Sequence, residues 1–147
     1  VTDIRIFQAD DGGDIEWIAG QAVMDDGLES SVYLSLFGGN SDDSGLEADD
    51  AKQFWGNLIE PDPERHYRSA TQFLLDTLPL VPANLIRFRD AVNRDLAWMT
   101  STGLAQSIAV TVTIPALNTV GIAIDFVIDD AEFHYVFTAA ARARLQQ

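Results

Sequence analysis

Cysteine is absent from this chain, which excludes disulfides, thiolate metal sites and thiol nucleophiles and leaves stability to packing. Basic side chains are scarce: nine Lys and Arg stand against 23 Asp and Glu, a formal net charge of −14. The deficit is uneven. Residues 1–50 carry 13 acids against Arg5 alone, a net of −12, whereas the other 97 carry 10 acids against 8 bases, a net of −2. A field of that sign repels phosphate backbones, so nucleic acid and anionic membrane surfaces are poor partners. It suits a basic protein partner, or solubility alone. No apolar run approaches the ~20 residues of a membrane span, and no secretory signal pattern opens the chain. A soluble protein of a reducing compartment is the expectation.

What is present is enough for a core: 147 residues, 47% hydrophobic, with three Trp. That length fits one domain, residues 1–147. Thr2–Gln8 alternates as a half-buried strand would, Asp10-Asp11-Gly12-Gly13 is a turn signal, and Asp14–Ala19 reads as the returning strand. Asp25 or Asp26 can cap a helix carrying Leu28, Val32 and Leu36 on one face, with Ser31 and Ser35 between them. An exposed acidic loop follows at about 38–52, rich in Gly, Ser, Asn and Asp. Phe54-Trp55-Gly56-Asn57 then reads as an anchored loop, since an indole beside a glycine is awkward in a helix.

A second amphipathic helix is expected from about His66 to Leu78. Pro79 and Pro82 precede a third, in which Leu85, Phe88, Val92, Leu96 and Met99 recur at three or four residues and Gly103 supplies the stop. Its Asp90 and Asp95 are assigned, with Arg87, Arg89 and Arg94, to the outer side. After Gly103 the period changes to two. Ile108–Ile114, Val120–Ile128 and Glu132–Thr138 read as three strands joined by turns at Pro115–Asn118 and Asp129-Asp130. Residues 139–147 are expected as a frayed helix or flexible tail. The fold class is therefore α+β: an N-terminal β-hairpin, three helices, and a C-terminal antiparallel three-stranded meander packed against the helices.

Sites of chemistry are faint. Asn40, Asp42, Ser44 and Gly45 match the opening of a calcium-binding loop, but Glu47 and Ala51 stand where an apolar residue and a bidentate Glu are needed. Glu16 with Asp25, or Glu60 with Glu64, can be drawn as acid/base pairs, which need one carboxyl in an apolar pocket. His66 and His134 belong to no triad or metal spacing. Trp17, Phe54, Trp55 and Trp98 fit a core, and Trp55 is also a candidate interface anchor.

One resemblance stands out. The run Asp25-Asp26-Gly27-Leu28-Glu29-Ser30-Ser31-Val32-Tyr33-Leu34-Ser35-Leu36-Phe37, an acidic loop, then Phe54-Trp55-Gly56-Asn57 resembles the small baseplate protein of Mu-like phages. Asp95-Leu96-Ala97-Trp98-Met99 and Thr102-Gly103-Leu104 continue the likeness, which covers about residues 14 to 128. Phe54 replaces the first Trp of the family's Trp-Trp-Gly, and its Gly-Ser-Arg-Leu-Trp segment is poorly kept at Arg68–Phe73. The family is similar to the small wedge subunits of larger contractile tails, a group also labelled lysozyme-like. The wider family's Glu-Pro-Arg sheath signature is missing from Thr100–Ser107, and Pro63-Glu64-Arg65 lies elsewhere.

The resemblance implies a non-catalytic wedge subunit linking baseplate to tube and sheath. Its partners would be larger wedge proteins and tail tube or sheath subunits, with no nucleic acid, membrane or cofactor. It would be monomeric when isolated and multimeric in the virion tail baseplate, after assembly in the host cytoplasm. The interface candidates are Phe54, Trp55, Tyr135, Arg142 and Arg144, with Glu132–Thr138 as an edge strand open to strand addition. A tail-associated peptidoglycan hydrolase using paired carboxylates is the alternative, and an acidic calcium-dependent adaptor a third reading.

Overall fold

The computed structural model describes residues 3–9, 12–38 and 55–141, without the side chains of Ala9, Gly12, Trp55 and Leu58. The acidic loop from residue 39 on, Phe54, and the tail from Arg142 lie outside the described residues. The architecture is α+β, as the periodicity predicts.

Residues 3–9 and 12–25 form more than a hairpin. Three short antiparallel ladders radiate from one point: β1 (Asp3–Ile4) with β6 (Met24–Asp25), β2 (Ile6–Ala9) with β3 (Gly12–Ile15), and β4 (Trp17–Ile18) with β5 (Gln21–Ala22). At the junction, Glu16 N–H donates to Arg5 O, Arg5 N–H to Val23 O and Val23 N–H to Glu16 O, at 2.8–3.3 Å. Each strand thus changes partner without losing its hydrogen bonds. The sequence marks only two strands here, because ladders of two residues carry too little alternation to register.

Helix α1 (Leu28–Phe37) starts where expected. Asp25 Oδ1 accepts Gly27 N–H at 2.7 Å and Asp26 Oδ1 accepts Leu28 N–H at 3.1 Å, while Gly27 adopts φ +77°. It is not one-faced, however. Ser30 and Ser35 are buried along with Val32 and Leu36, because the ribbon, α2 and α3 enclose the helix on several sides.

Helix α2 (Ala70–Thr77) begins four residues later than the sequence suggests. Asp62 and Pro63 open a separate 3-10 turn (Pro63–Arg65), and His66–Ser69 is not helical, so Tyr67 is not on the helix. Helix α3 (Leu85–Ser101) matches its pattern, and Gly103, at φ +77°, ends it. Phe88, Val92, Leu96 and Met99 are fully buried against α1, α2 and the sheet.

The meander is β7 (Ser107–Ala116), β8 (Thr119–Ile128) and β9 (Ala131–Ala140), in that order and antiparallel. β9 runs two residues into the segment expected as tail. Val120, Ile122, Ile124 and Phe126 of β8 are buried under the helices. On the opposite face, Ala109, Thr111 and Thr113 are exposed, and His134 Nδ1 meets Asp125 Oδ1 at 2.5 Å. A sheet with one wet face explains the clean alternation in its sequence.

Candidate interaction surfaces

β9 is one of the sheet's two outer strands, with β7 the other, and its edge carries backbone groups open to another chain. Thr138 N–H donates to Gln8 Oε1 at 2.8 Å, and Gln8 Nε2 donates back to Thr138 O. That bidentate clip shows that Thr138 turns its backbone away from β8. By the alternation of an antiparallel ladder, Glu132, His134 and Val136 do the same. Among the described residues nothing pairs with their backbone groups. Gln8 therefore stands in for a neighbouring strand at one end of β9 and leaves the other end unpaired.

Tyr135 has the opposite parity. Its side chain is half-buried on the helix side, with ring centroids 6.1 Å from Phe126 and 6.4 Å from Phe137, and burial pushes its phenol pKa up. It supports the sheet beneath the open edge and does not form that edge. Trp55 begins a 3-10 turn, Trp55–Leu58. Phe54, Arg142, Arg144 and the side chain of Trp55 fall outside the described residues.

The anchoring expected of the loop around Trp55 is supplied by Asn57. Its amide accepts Tyr67 N–H at 3.0 Å and donates to Tyr67 O at 2.9 Å. His66 Nε2 lies 2.7 Å from Glu60 O and closes the same loop.

The ribbon presents a second surface, invisible without the register. Side chains alternate across a strand, so the cross-strand pairs Ile4 with Met24, Ile6 with Ile15 and Trp17 with Ala22 share one face around the junction. Ile6 packs on the core; outward from it, Ile4, Ile15 and Met24 are exposed, and Trp17 is 62% exposed, contrary to its expected place in the core. Arg5 lies on the other face. Its guanidinium reaches Glu16 at 2.6 Å, Glu29 at 3.1 Å and Asp25 at 3.9 Å, and the Glu29 hydrogen bond and charge raise its pKa.

The carboxylate pairs read from the sequence are thereby placed. Glu16 and Asp25 are both drawn to Arg5 and not set in an apolar pocket. Glu60 accepts Asp62 N–H at 3.1 Å and approaches Arg65 at 3.7 Å, on the surface. The carboxyl that burial does perturb is Asp95, only 8% exposed and on the apolar side of α3, not its outer side. Its Oδ1 and Oδ2 accept the N–H groups of Ala70 and Thr71, each at 2.9 Å, so it caps α2 from a neighbouring helix. Burial lifts its pKa to about 7 against these stabilising contacts. The enclosed Thr71 hydroxyl faces the same carboxyl, near enough to lower that pKa but short of good hydrogen-bond geometry.

Compared with known proteins, the chain matches no family model, no curated protein and no solved structure.

Proposed function

We propose that the chain is a structural subunit of a contractile phage tail baseplate, a wedge component acting through protein–protein assembly. The observation that carries the reading is the half-clipped edge of β9, where Glu132, His134 and Val136 offer backbone groups, unpaired among the described residues, for a strand from a larger wedge protein. The order of the motifs adds to it. Asp25–Phe37 folds as a capped turn and a central helix, Gly56-Asn57 pins the following loop, and Ala97-Trp98 lies near the end of the long helix. The tube and sheath subunits are further partners in this reading, with the virion tail baseplate as the place of action.

Native mass spectrometry of the chain co-expressed with the products of its neighbouring genes tests the proposal. A stable complex with a larger neighbour is expected. A lone monomer beside folded neighbours counts against it, and turnover of purified peptidoglycan by the isolated chain would replace it with the hydrolase reading.

A further inference from the structure

The N-terminal ribbon places apolar side chains where nothing among the described residues covers them. Ile4, Ile15, Trp17 and Met24 lie on one face of three short ladders, continuous with Ile6, which enters the core. The β4–β5 arm is only two residue pairs long, turns through Ala19 and Gly20 at positive φ, and is 62% exposed at both Trp17 and Ile18. An isolated two-stranded arm of this kind is marginal in water, and a contiguous apolar patch on a soluble protein marks an interaction site.

The charges around the patch select its occupant. Among described residues 3–29 there are six carboxylates, Asp3, Asp14, Glu16, Asp25, Asp26 and Glu29, against one guanidinium. Arg5 is held by Glu16 and Glu29, so it neutralises none of Asp3, Asp14 and Asp26. No basic side chain among the described residues pairs with those three. A second copy docking face to face would bring together two N-terminal segments that each carry six carboxylates against one guanidinium, and an anionic lipid surface would meet the same repulsion.

We propose that this face, centred on Trp17 and Met24, docks a different protein whose contact patch is apolar in the middle and edged with Lys or Arg. Trp17 supplies the anchor, since a large amphipathic ring at the centre of a patch carries a disproportionate share of binding. Asp3, Asp14 and Asp26 steer the encounter and set its salt dependence. The site is separate from the β9 edge and stands whether or not the baseplate reading holds.

A synthetic amphipathic peptide alternating Lys with Leu is the first probe, with a Glu-for-Lys version of the same pattern beside it. Binding of the Lys peptide to the full chain is followed by titration calorimetry and by hydrogen exchange. The expected result is binding that weakens with added salt, protects residues 3–25, and drops more than about tenfold in Trp17→Ser and in Met24→Ser. Asp3→Asn with Asp14→Asn should lessen the salt dependence while each Asn keeps its local acceptor. Leu117→Ser, an 85% exposed site in the β7–β8 turn, is the control and should bind as the native chain does.

No binding of the Lys peptide, equal binding of the Glu peptide, or binding indifferent to Trp17→Ser overturns the inference. So does a native homodimer that Trp17→Ser dissolves in sedimentation, or a patch freed for exchange by truncation after Ala141. The neighbouring gene products are the second probe. A complex with one of them that survives Trp17→Ser unweakened removes this site and leaves the baseplate reading intact. Failure of every neighbour to bind, with the Lys peptide footprint in place, removes the baseplate reading alone.

Discussion

The carboxylate of Asp95, on α3, accepts the backbone N–H of Thr71, the second residue of α2, at 2.9 Å. Its other oxygen accepts Ala70 N–H at the same distance. The orphan donors that open a helix are usually met by a residue just before it, but Ser69 makes no such bond and sends its hydroxyl to Ser35 O at 3.0 Å. Asp95→Ala should therefore cost about 2–4 kcal/mol in chemical denaturation, since two buried donors lose their acceptor at once. Asp95→Asn, which keeps one carbonyl oxygen, should lose less than half as much. An alanine variant as stable as the native chain would mean the cap is idle.

The same group sets a pH dependence. Its folded-state pKa, about 7, lies above the ordinary 3.8 because burial penalises the charge. The folded protein therefore holds the proton more tightly than the unfolded chain does. The stability this contributes is complete below 3.8 and is lost as pH rises to about 7. Measured against Asp95→Asn, the native chain should lose unfolding free energy across that window, and the Asp95 carboxyl carbon should titrate near its upper end. A midpoint near 4 in the carbon spectrum would sink the prediction.

Trp98 ties α3 to α1 by a different route. Its indole Nε1 donates to Ser35 Oγ at 3.0 Å, and that hydroxyl donates in turn to Ser31 O at 2.7 Å. Trp98→Phe keeps most of the ring contact and deletes the donor, so a loss of about 1 kcal/mol is expected. A double-mutant cycle with Ser35→Ala should return a coupling of about 0.5–1.5 kcal/mol. Additive losses would show that the bond is incidental.

Gly13 is where the ribbon meets the body. A Cβ at that position would stand 2.5 Å from Tyr33 Cε1, and the ring has little room to retreat, being buried and packed on Phe37 and Phe137. Gly13→Ala should destabilise by about 1–3 kcal/mol and raise hydrogen exchange across β2 and β3. Unchanged protection would place the contact elsewhere.

How far these features were legible depends on the length of each pattern. The meander and α3 are long, one-faced elements, so their periods of two and 3.6 stand out, and Gly103 marks the stop. Asp95 was readable in principle: it lies seven residues after Phe88 and four before Met99, on the apolar stripe. Its charge outweighed its position, and the N–H groups that compensate it belong to a segment 25 residues away. Ser35 misled in the same way, as a polar residue on a face that proves buried. The ribbon's apolar face could not be read at all, because it exists only through the pairing of three segments whose ladders are two to four residues long. Tyr135 was rightly placed in a strand, yet which edge its N–H faces depends on register, and register is visible only through Thr138 and Gln8.

That register decides how the β9 edge must be probed. Tyr135 pairs with Ile124, three positions before Thr138 pairs with Gly121, so its N–H points into the sheet. Proline at Tyr135 would remove a ladder bond and aromatic packing together, at about 3 kcal/mol or more, and lost binding would then report only unfolding. Val136 is 60% exposed and its N–H faces outward. Val136→Pro should leave the circular dichroism spectrum native and lower the melting midpoint only slightly, because proline is tolerated on an edge. If β9 receives a strand, the same variant should lose its larger partner in native mass spectrometry, and Gln8→Ala, which frees Thr138, should bind at least as well as the native chain. A complex that Val136→Pro leaves intact would remove the β9 edge as the assembly contact.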